Sequence, residues 1–475
     1  MLYLGLDVGT TAVKALICDA AGHIRGTGSA GYPLHSDGVR SEQDARDWYT
    51  ASARAVRQAL TQVDAGEVCA MSLSTQGGTT VPLDASGEPL RYALTWMDAR
   101  AAEEAAYVRE AYGADAFYHT TGWDAAAFGD PCKLRWLQKH EPEVCRAARY
   151  WVTTPAYMNL KLTGNCAVDP TNAAMRLLYD FRAGTWDARL LEYAGVTDTQ
   201  LPTLLPSGAY VGTLTREAAD AFGLTGRVRV YNGIHDQYCA SLGCGSREAG
   251  DVLLSAGTTW VLMAVTERPM YTASRVGVGR HALPGLYGAI ASLVGSGASM
   301  EWLSQLTGLT PRELDVGAAQ RRSEPGLFFY PFLAGESFTH RGEGLLGGIE
   351  GLTLRHDRYD LARALMECVA FEVKLGLREF DAKRLVMVGG AARSEVWSGI
   401  VADVTGLTVR KGSGDICALG AAMIAAAGEG GYCLRRAAEE MAGEGEVIRP
   451  QGSYAEKYDR YRLRLTNLSG TLQLP

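Results

Sequence analysis

Three short glycine turns and one aspartate supply most of the chemistry this sequence offers. Asp7-Val8-Gly9-Thr10-Thr11 joins two apolar runs, and Ser255-Ala256-Gly257-Thr258-Thr259 does the same in the second half of the chain. Glycine lets backbone N–H groups approach phosphate oxygens closely, and neighbouring threonine hydroxyls add donors. Lys14, on the same hairpin as Gly9, adds a positive charge, and Asp7 stands where a carboxylate holds a hydrated Mg²⁺. The third turn, Gly389-Gly390-Ala391-Ala392, is small enough for a flat base or a ribose to lie on its backbone. Read singly, each is also an ordinary hairpin or a point of close packing. Together they suit one nucleotide. Asp236, beside Gln237, closes an apolar run at 228–231, where a carboxylate can orient and deprotonate a hydroxyl. It also reads as the N-cap of a helix over 237–242. His235 competes for the base role, or is structural.

The elements that must position these residues are legible from periodicity. Leu2, Leu4 and Leu6 alternate as one strand face, with further strands at 13–18 and 24–30. The patterns predict helices over 44–60 (entered after Ser41), 99–112, 355–380 and 394–404. Stretches 68–73 and 385–388 read as buried strands. The two Gly-Thr-Thr turns lie about half the chain apart, each between two apolar runs, so the sequence predicts two domains of one architecture facing a shared ligand. A boundary falls near 245–250.

Composition narrows the class. The chain has 475 residues, 46 basic and 53 acidic, for a formal charge of −7; 47% are hydrophobic and 21% charged. That describes folded domains with sizeable cores, and it carries no basic footprint for nucleic acid or an anionic membrane. The ten cysteines form no C-x-x-C pair and read as buried thiols of a reducing compartment. Cys239 and Cys244 with His235 lack the spacing and the fourth donor of a zinc site. The first residues do not resemble a signal peptide. The uncharged stretch 282–300 reads as turns and short strands, and 416–428 is too short to span a bilayer. The expectation is a cytoplasmic protein with a small-molecule substrate.

Further segments, in order, resemble the FGGY family of carbohydrate kinases over nearly the whole chain. They are Leu4-Gly5-Leu6-Asp7-Val8-Gly9-Thr10-Thr11, Gln76 with Val81-Pro82-Leu83-Asp84, Trp96-Met97-Asp98-Ala99-Arg100, and Lys133-Leu134-Arg135-Trp136-Leu137. Leu162-Thr163-Gly164, Trp186 and Leu201-Pro202 follow. Asp236, the 255–259 turn, Gly348-Ile349-Glu350-Gly351-Leu352 and the stretch 389–403 complete the series. The resemblance implies an α/β fold of two actin-like (ribonuclease H-like) domains, each a mixed sheet flanked by helices, with ATP and sugar in the cleft between them. Residues 1–245 would hold the sugar-binding elements and 246–475 the nucleotide-binding ones. By carry-over Asp236 is the catalytic base and Asp7 positions Mg²⁺. Gly9, Thr10, Thr11, Lys14, Gly257 and Thr258 surround the phosphates, and Gly297, Gly390 and Ser394 line the nucleoside pocket. Sugar contacts come from Gln76, Gly77, Gly78, Trp96, Asp236 and Gln237, with Asp98 and Arg100 nearby.

Three departures bear on the substrate. Xylulokinases resemble one another in carrying Met-His after the glutamine, and glycerol kinases Arg-Glu; this chain has Gly77-Gly78. The missing side chains suggest a larger pocket. Phe128 stands where glycerol kinases have a tyrosine, and Gly335-Glu336-Ser337 where many members have Gly-Glu-Arg. The acceptor expected is a ketopentose such as xylulose or ribulose, with other ketoses, polyols and deoxy sugars as alternatives. Two other readings are an ATP-dependent conformational switch on the same architecture and a sugar-binding homologue without turnover. The composition allows a homodimer without requiring one.

Overall fold

The computed structural model describes all residues except 336, 341–343, 413 and 472–475. The first half builds a six-stranded mixed sheet from Leu2–Val8 (β1), Ala12–Cys18 (β2), Ile24–Gly31 (β3), Val68–Thr75 (β4), Tyr210–Thr213 (β5) and Arg229–His235 (β6). Their spatial order is β5-β6-β4-β1-β2-β3. β1, β2 and β3 form an antiparallel meander, and β4 runs parallel to β1 and to β6. The alternation in β1 is realised on both faces. Leu4 and Leu6 pack in one core with Trp48 and Val56 of the helix Ala45–Leu60 (α1), whereas Tyr3 enters a second cluster on the other face. α1 is capped by the Asp44 carboxylate, which accepts the Arg46 N–H. Ser41 lies instead in a short strand, Ser41–Gln43. Helices Asp130–His140 (α2), Pro170–Ala174 (α3) and Asp236–Gly243 (α4) follow.

The second half repeats the plan. Asp251–Ala256 (β7), Trp260–Thr266 (β8), Gly277–Arg280 (β9), Tyr287–Ser292 (β10), Arg384–Val388 (β11), Val409–Lys411 (β12) and Val447–Ile448 (β13) form a sheet of order β9-β10-β8-β7-β11-β12-β13. As in the first sheet, a hairpin carrying a Gly-Thr-Thr turn pairs on its open side with a parallel strand, here β11. The stretch 282–300, expected as strands and turns alone, contains β10 and also opens a helix, Ser296–Thr307 (α5). Helices Pro311–Ala319 (α6), Arg358–Leu377 (α7), Glu395–Thr405 (α8) and Ile416–Gly430 (α9) complete the elements that concern the site. Among the described residues, no helix is long and apolar enough to cross a membrane. The cysteines are all free, but only Cys18, Cys132, Cys239, Cys244 and Cys368 are buried, and Cys433 is exposed.

Between the two sheets, α4 and α9 cross almost backbone to backbone. A Cβ on Gly420 of α9 would overlap the Cys239 carbonyl oxygen of α4, and one on Gly243 would overlap that of Ile416. α9 also lies on β1, where a Cβ on Gly5 would overlap the Ala418 carbonyl oxygen. The rest of α9 facing this cluster is alanine-rich, with Ala421, Ala422, Ala425 and Ala426 fully buried. Small residues are what permits this approach, since a side chain here would have to displace backbone.

Two substitutions separate that constraint from helix propensity. Gly420→Ala should destabilise the protein by about 1–3 kcal/mol in urea unfolding, because overpacking outweighs the propensity gain. Gly399→Ala, in α8 with nothing within 4 Å of the new methyl group, should stabilise it by roughly 0.5–1 kcal/mol.

Candidate active site

Sheet register brings the charged residues together. Asp7 of β1 lies opposite Lys14 of β2 and Ser74 of β4, while Ile234 of β6 is level with Ser74. Asp236 therefore stands two residues beyond that level, at the carboxyl ends of the parallel strands. Ligands of open α/β sheets collect at such strand ends. The Asp7 carboxylate accepts a hydrogen bond from the Ser74 hydroxyl at 2.7 Å. Burial pushes its carboxyl up to about 7, opposed by the Ser74 hydroxyl and Lys14 and reinforced by Asp236 and Asp415. Lys14 forms an ion pair of 2.8 Å with Asp415, immediately before α9, and that bond raises its pKa. So Lys14, expected at the phosphates, bridges the first hairpin to the second half of the chain.

Asp236 is not the N-cap that the sequence suggested. β6 runs on to His235, which occupies the cap position, and Asp236 is the first residue of α4. Its side chain keeps 30% of its surface exposed and lies 3.3 Å from His235 Nε2. Gln237 follows, with its Oε1 buried and without a partner.

The first Gly-Thr-Thr turn is held from three directions. The Gly9 N–H donates to the Ala12 carbonyl at 3.1 Å, so it closes the hairpin. The Tyr32 hydroxyl donates to the Gly9 carbonyl and the Gln43 amide to that of Thr10. Trp96 Nε1 donates to the Thr10 hydroxyl at 3.2 Å. Thr11 is exposed beside them.

The second turn opens onto a cavity of about 1100 Å³. Gly257, Thr258, Gly297, Gly390 and Ser394 all line it, along with Trp302, Arg312 and Asp315. Close packing of α5 on the turn explains Gly297, whose Cβ would overlap the Gly257 carbonyl oxygen. Gly389 has φ +95° and a Cβ there would lie 2.7 Å from the Ala256 carbonyl oxygen, whereas Gly390 faces open space. Ser394 caps α8 by accepting the Trp397 N–H at 2.9 Å, and its hydroxyl donates to Asp315.

On the acceptor side, the Gln76 amide donates to Gln43 Oε1 at 2.7 Å, and Gln76 Oε1 is buried without a partner. Trp96 is 47% exposed at the rim. The space beside Gly77 and Gly78 is partly filled. A Cβ on Gly77 would stand 2.6 Å from His235 Cδ2 and 2.7 Å from Met175 Cγ; one on Gly78 would stand 3.0 Å from the Phe128 ring. Side chains from elsewhere in the chain occupy that room. Asp98 and Arg100 do not face it either: Arg100 pairs with Asp98 at 2.8 Å and with Glu42, and Asp98 accepts the Ser41 N–H. Glu336 lies outside the described residues.

Sequence reasoning missed the residues that hold this loop. Lys133 of α2 is fully buried and donates to the Gly78 carbonyl at 2.6 Å and to that of Leu94 at 3.0 Å. Burial pulls its pKa down to about 8, against Asp130 and Asp98. Asp169 caps α3, and Thr171 Oγ1 there accepts the His235 N–H at 2.9 Å. The run Asp169-Pro170 was a readable signal, an N-cap followed by proline at the first helical position.

This arrangement matches known proteins along its length. The N-terminal domain model of the FGGY family of carbohydrate kinases matches residues 2–243 and its C-terminal counterpart residues 252–429. A xylulose kinase of Escherichia coli (strain K12) is 31% identical over 440 residues, covering 89% of each chain. Crystal structures of a xyloylose kinase from Brucella ovis and a xylulose kinase from Rhodospirillum rubrum superpose with TM-scores of 0.92 and 0.90. Each is 28% identical and covers 99% of both chains. These neighbours have two actin-like domains, and relatives named as kinases do not favour the conformational-switch reading. With both family domains present in order on one actin-like framework, the chain belongs to the FGGY family of carbohydrate kinases and is a sugar phosphotransferase.

Proposed function

We propose that this kinase transfers the γ-phosphoryl group of ATP to a hydroxyl of a ketopentose of the xylulose type, with Asp236 as general base. The observation that carries the reading is the part-exposed Asp236 carboxylate at the strand ends, beside Asp7 and Lys14. The names of the relatives support the choice of sugar. As the acceptor oxygen bonds to the γ-phosphorus, its proton passes to Asp236. The bond from the γ-phosphorus to its bridging oxygen breaks, and ADP leaves. Such a transfer needs positioning and charge neutralisation more than covalent help. In this reading residues 1–245 carry the acceptor elements, with Gln76, Gly77, Gly78, Trp96 and Gln237 around the sugar. Residues 246–475 carry the nucleotide elements, with Gly257, Thr258, Gly297, Gly390 and Ser394 along the large cavity. Gly9, Thr10, Thr11 and Lys14 face the phosphates from the opposite side.

Asp7 suits Mg²⁺. It is an oxygen donor whose charge is disfavoured by burial and by Asp236 and Asp415, so a cation there relieves a local excess of negative charge. Asp7 would hold the ion through water, and the bound ion would neutralise phosphate charge. Asp7 itself keeps its orientation through Ser74.

Release of ADP from Mg-ATP, measured against pentuloses, hexuloses, deoxy sugars and polyols, should be greatest with a ketopentose. Asp236→Asn should lower turnover by roughly 10²–10⁴ with ATP binding unchanged. Wild-type turnover in that variant would exclude Asp236 as the base. A second outcome concerns stability. An unfolded chain ionises Asp7 near 4 and the folded one near 7, so this residue stabilises the apoprotein at low pH, and that contribution is lost as pH rises through 7. Asp7→Asn should therefore gain stability relative to wild type between pH 4 and 7.5. The expected gain is on the order of 2–3 kcal/mol, allowing for the residual water contact of a half-buried group. Parallel pH profiles for the two proteins in thermal unfolding would refute it.

A further inference from the structure

Gly77 and His235 are far apart in sequence and share one volume. The imidazole leaves the end of β6, is 94% buried on the residue's own scale (6% exposed), and rests against Tyr238 with ring centroids 6.2 Å apart. Its backbone is fixed by Thr171, whose hydroxyl accepts the His235 N–H while donating to Asp169 at 2.8 Å. On the remaining side it meets Gly77. A Cβ at that position would lie 2.6 Å from Cδ2 and 2.9 Å from Nε2, closer than side chains tolerate. The ring therefore fits because residue 77 is glycine. So held, it presents Nε2 to Asp236 Oδ1 at 3.3 Å, and its Nδ1 is buried without a hydrogen-bond partner.

The two tautomers differ in what they leave unmet. With the proton on Nδ1, a buried N–H has no acceptor and the Nε2 lone pair faces a carboxylate oxygen. With the proton on Nε2, that N–H stands 3.3 Å from the Asp236 carboxylate, a close polar approach rather than a formed hydrogen bond, and only a lone pair at Nδ1 stays unpaired. The second arrangement is the less costly. We infer that His235 is a positioning residue for Asp236: the polar edge of the ring, 3.3 Å from the carboxylate, restricts its rotamers, and Gly77 is the complementary residue that admits the ring. The inference rests on the reading of Asp236 as general base. It also gives a reason, separate from any sugar contact, for the first of the two glycines that follow Gln76.

A base held in one rotamer spends more of its time aligned with the acceptor hydroxyl, so the effect belongs in kcat. With D-xylulose as probe, His235→Leu should lower kcat roughly tenfold to a hundredfold while KM for the sugar and for ATP changes less than about threefold. His235→Gln, whose Nε2 amide reaches the same place, should restore most of that loss. Gly77→Ala, which displaces the ring while keeping the His235 and Asp236 side chains in the chain, should match His235→Leu. Combining the two should cost no more than either alone, because they remove one interaction. Each variant's thermal midpoint confirms that it is folded. Wild-type kcat in His235→Leu, or equal losses in His235→Gln and His235→Leu, would overturn the inference. Wild-type turnover in Asp236→Asn would fell the base assignment and the inference together, whereas loss there with none in His235→Leu would fell the inference alone.

Discussion

The site depends on two helices that touch through their backbones. α4 starts at Asp236 and α9 starts just after Asp415, so the crossing that joins the two halves also sets where these carboxylates stand. Gly5, Gly243 and Gly420 allow the contact, and alanines fill the space around it. Close backbone packing has few alternative arrangements, since interiors pack as densely as organic crystals. Asp236, the Lys14–Asp415 pair and the Asp7 strand therefore share one rigid reference.

The acceptor side is held by a different means. Its loop has little apolar surface of its own, so it is tied down by buried charge. Lys133 grips two carbonyl oxygens, Asp130 pairs with Arg176, and Thr80 donates to Asp130. A buried ammonium group is tolerable because two of its three N–H groups are met and carboxylates lie near. Removing one partner from such a set leaves an uncompensated charge, which costs more than the pair contributes. Rigidity around Gly78 and Trp96 is thus obtained with polar groups.

Local patterns were legible in the sequence and contacts between distant residues were not. Alternation located β1, buried apolar runs located β4 and β11, and apolar spacing located α1 and α7 with their ends a few residues off. Asp44 rather than Ser41 caps α1 because an intervening strand consumes 41–43. The turns at Gly257 and Gly390 were readable as glycine before small or hydroxyl residues, and they do line one cavity. The use of His235 beside Gly77, of Lys133 beneath Gly78 and of Asp415 beside Lys14 depends on tertiary closure over 50 to 400 residues. One such contact did leave a mark. A glycine inside an apolar strand, as in Leu4-Gly5-Leu6, signals that another backbone comes close.

The hydrogen bond from Trp96 to Thr10 joins the segment proposed to meet the acceptor to the hairpin of the first Gly-Thr-Thr turn. In the proposed assignment of these two segments, an indole shared in this way belongs to two binding equilibria. Any ligand that shifts the indole on one side changes the free energy of the turn on the other. Linkage makes such an effect equal in both directions for binding. The affinity for one substrate is then a property of the pair, and a value measured with either alone describes a different thermodynamic state from the ternary complex.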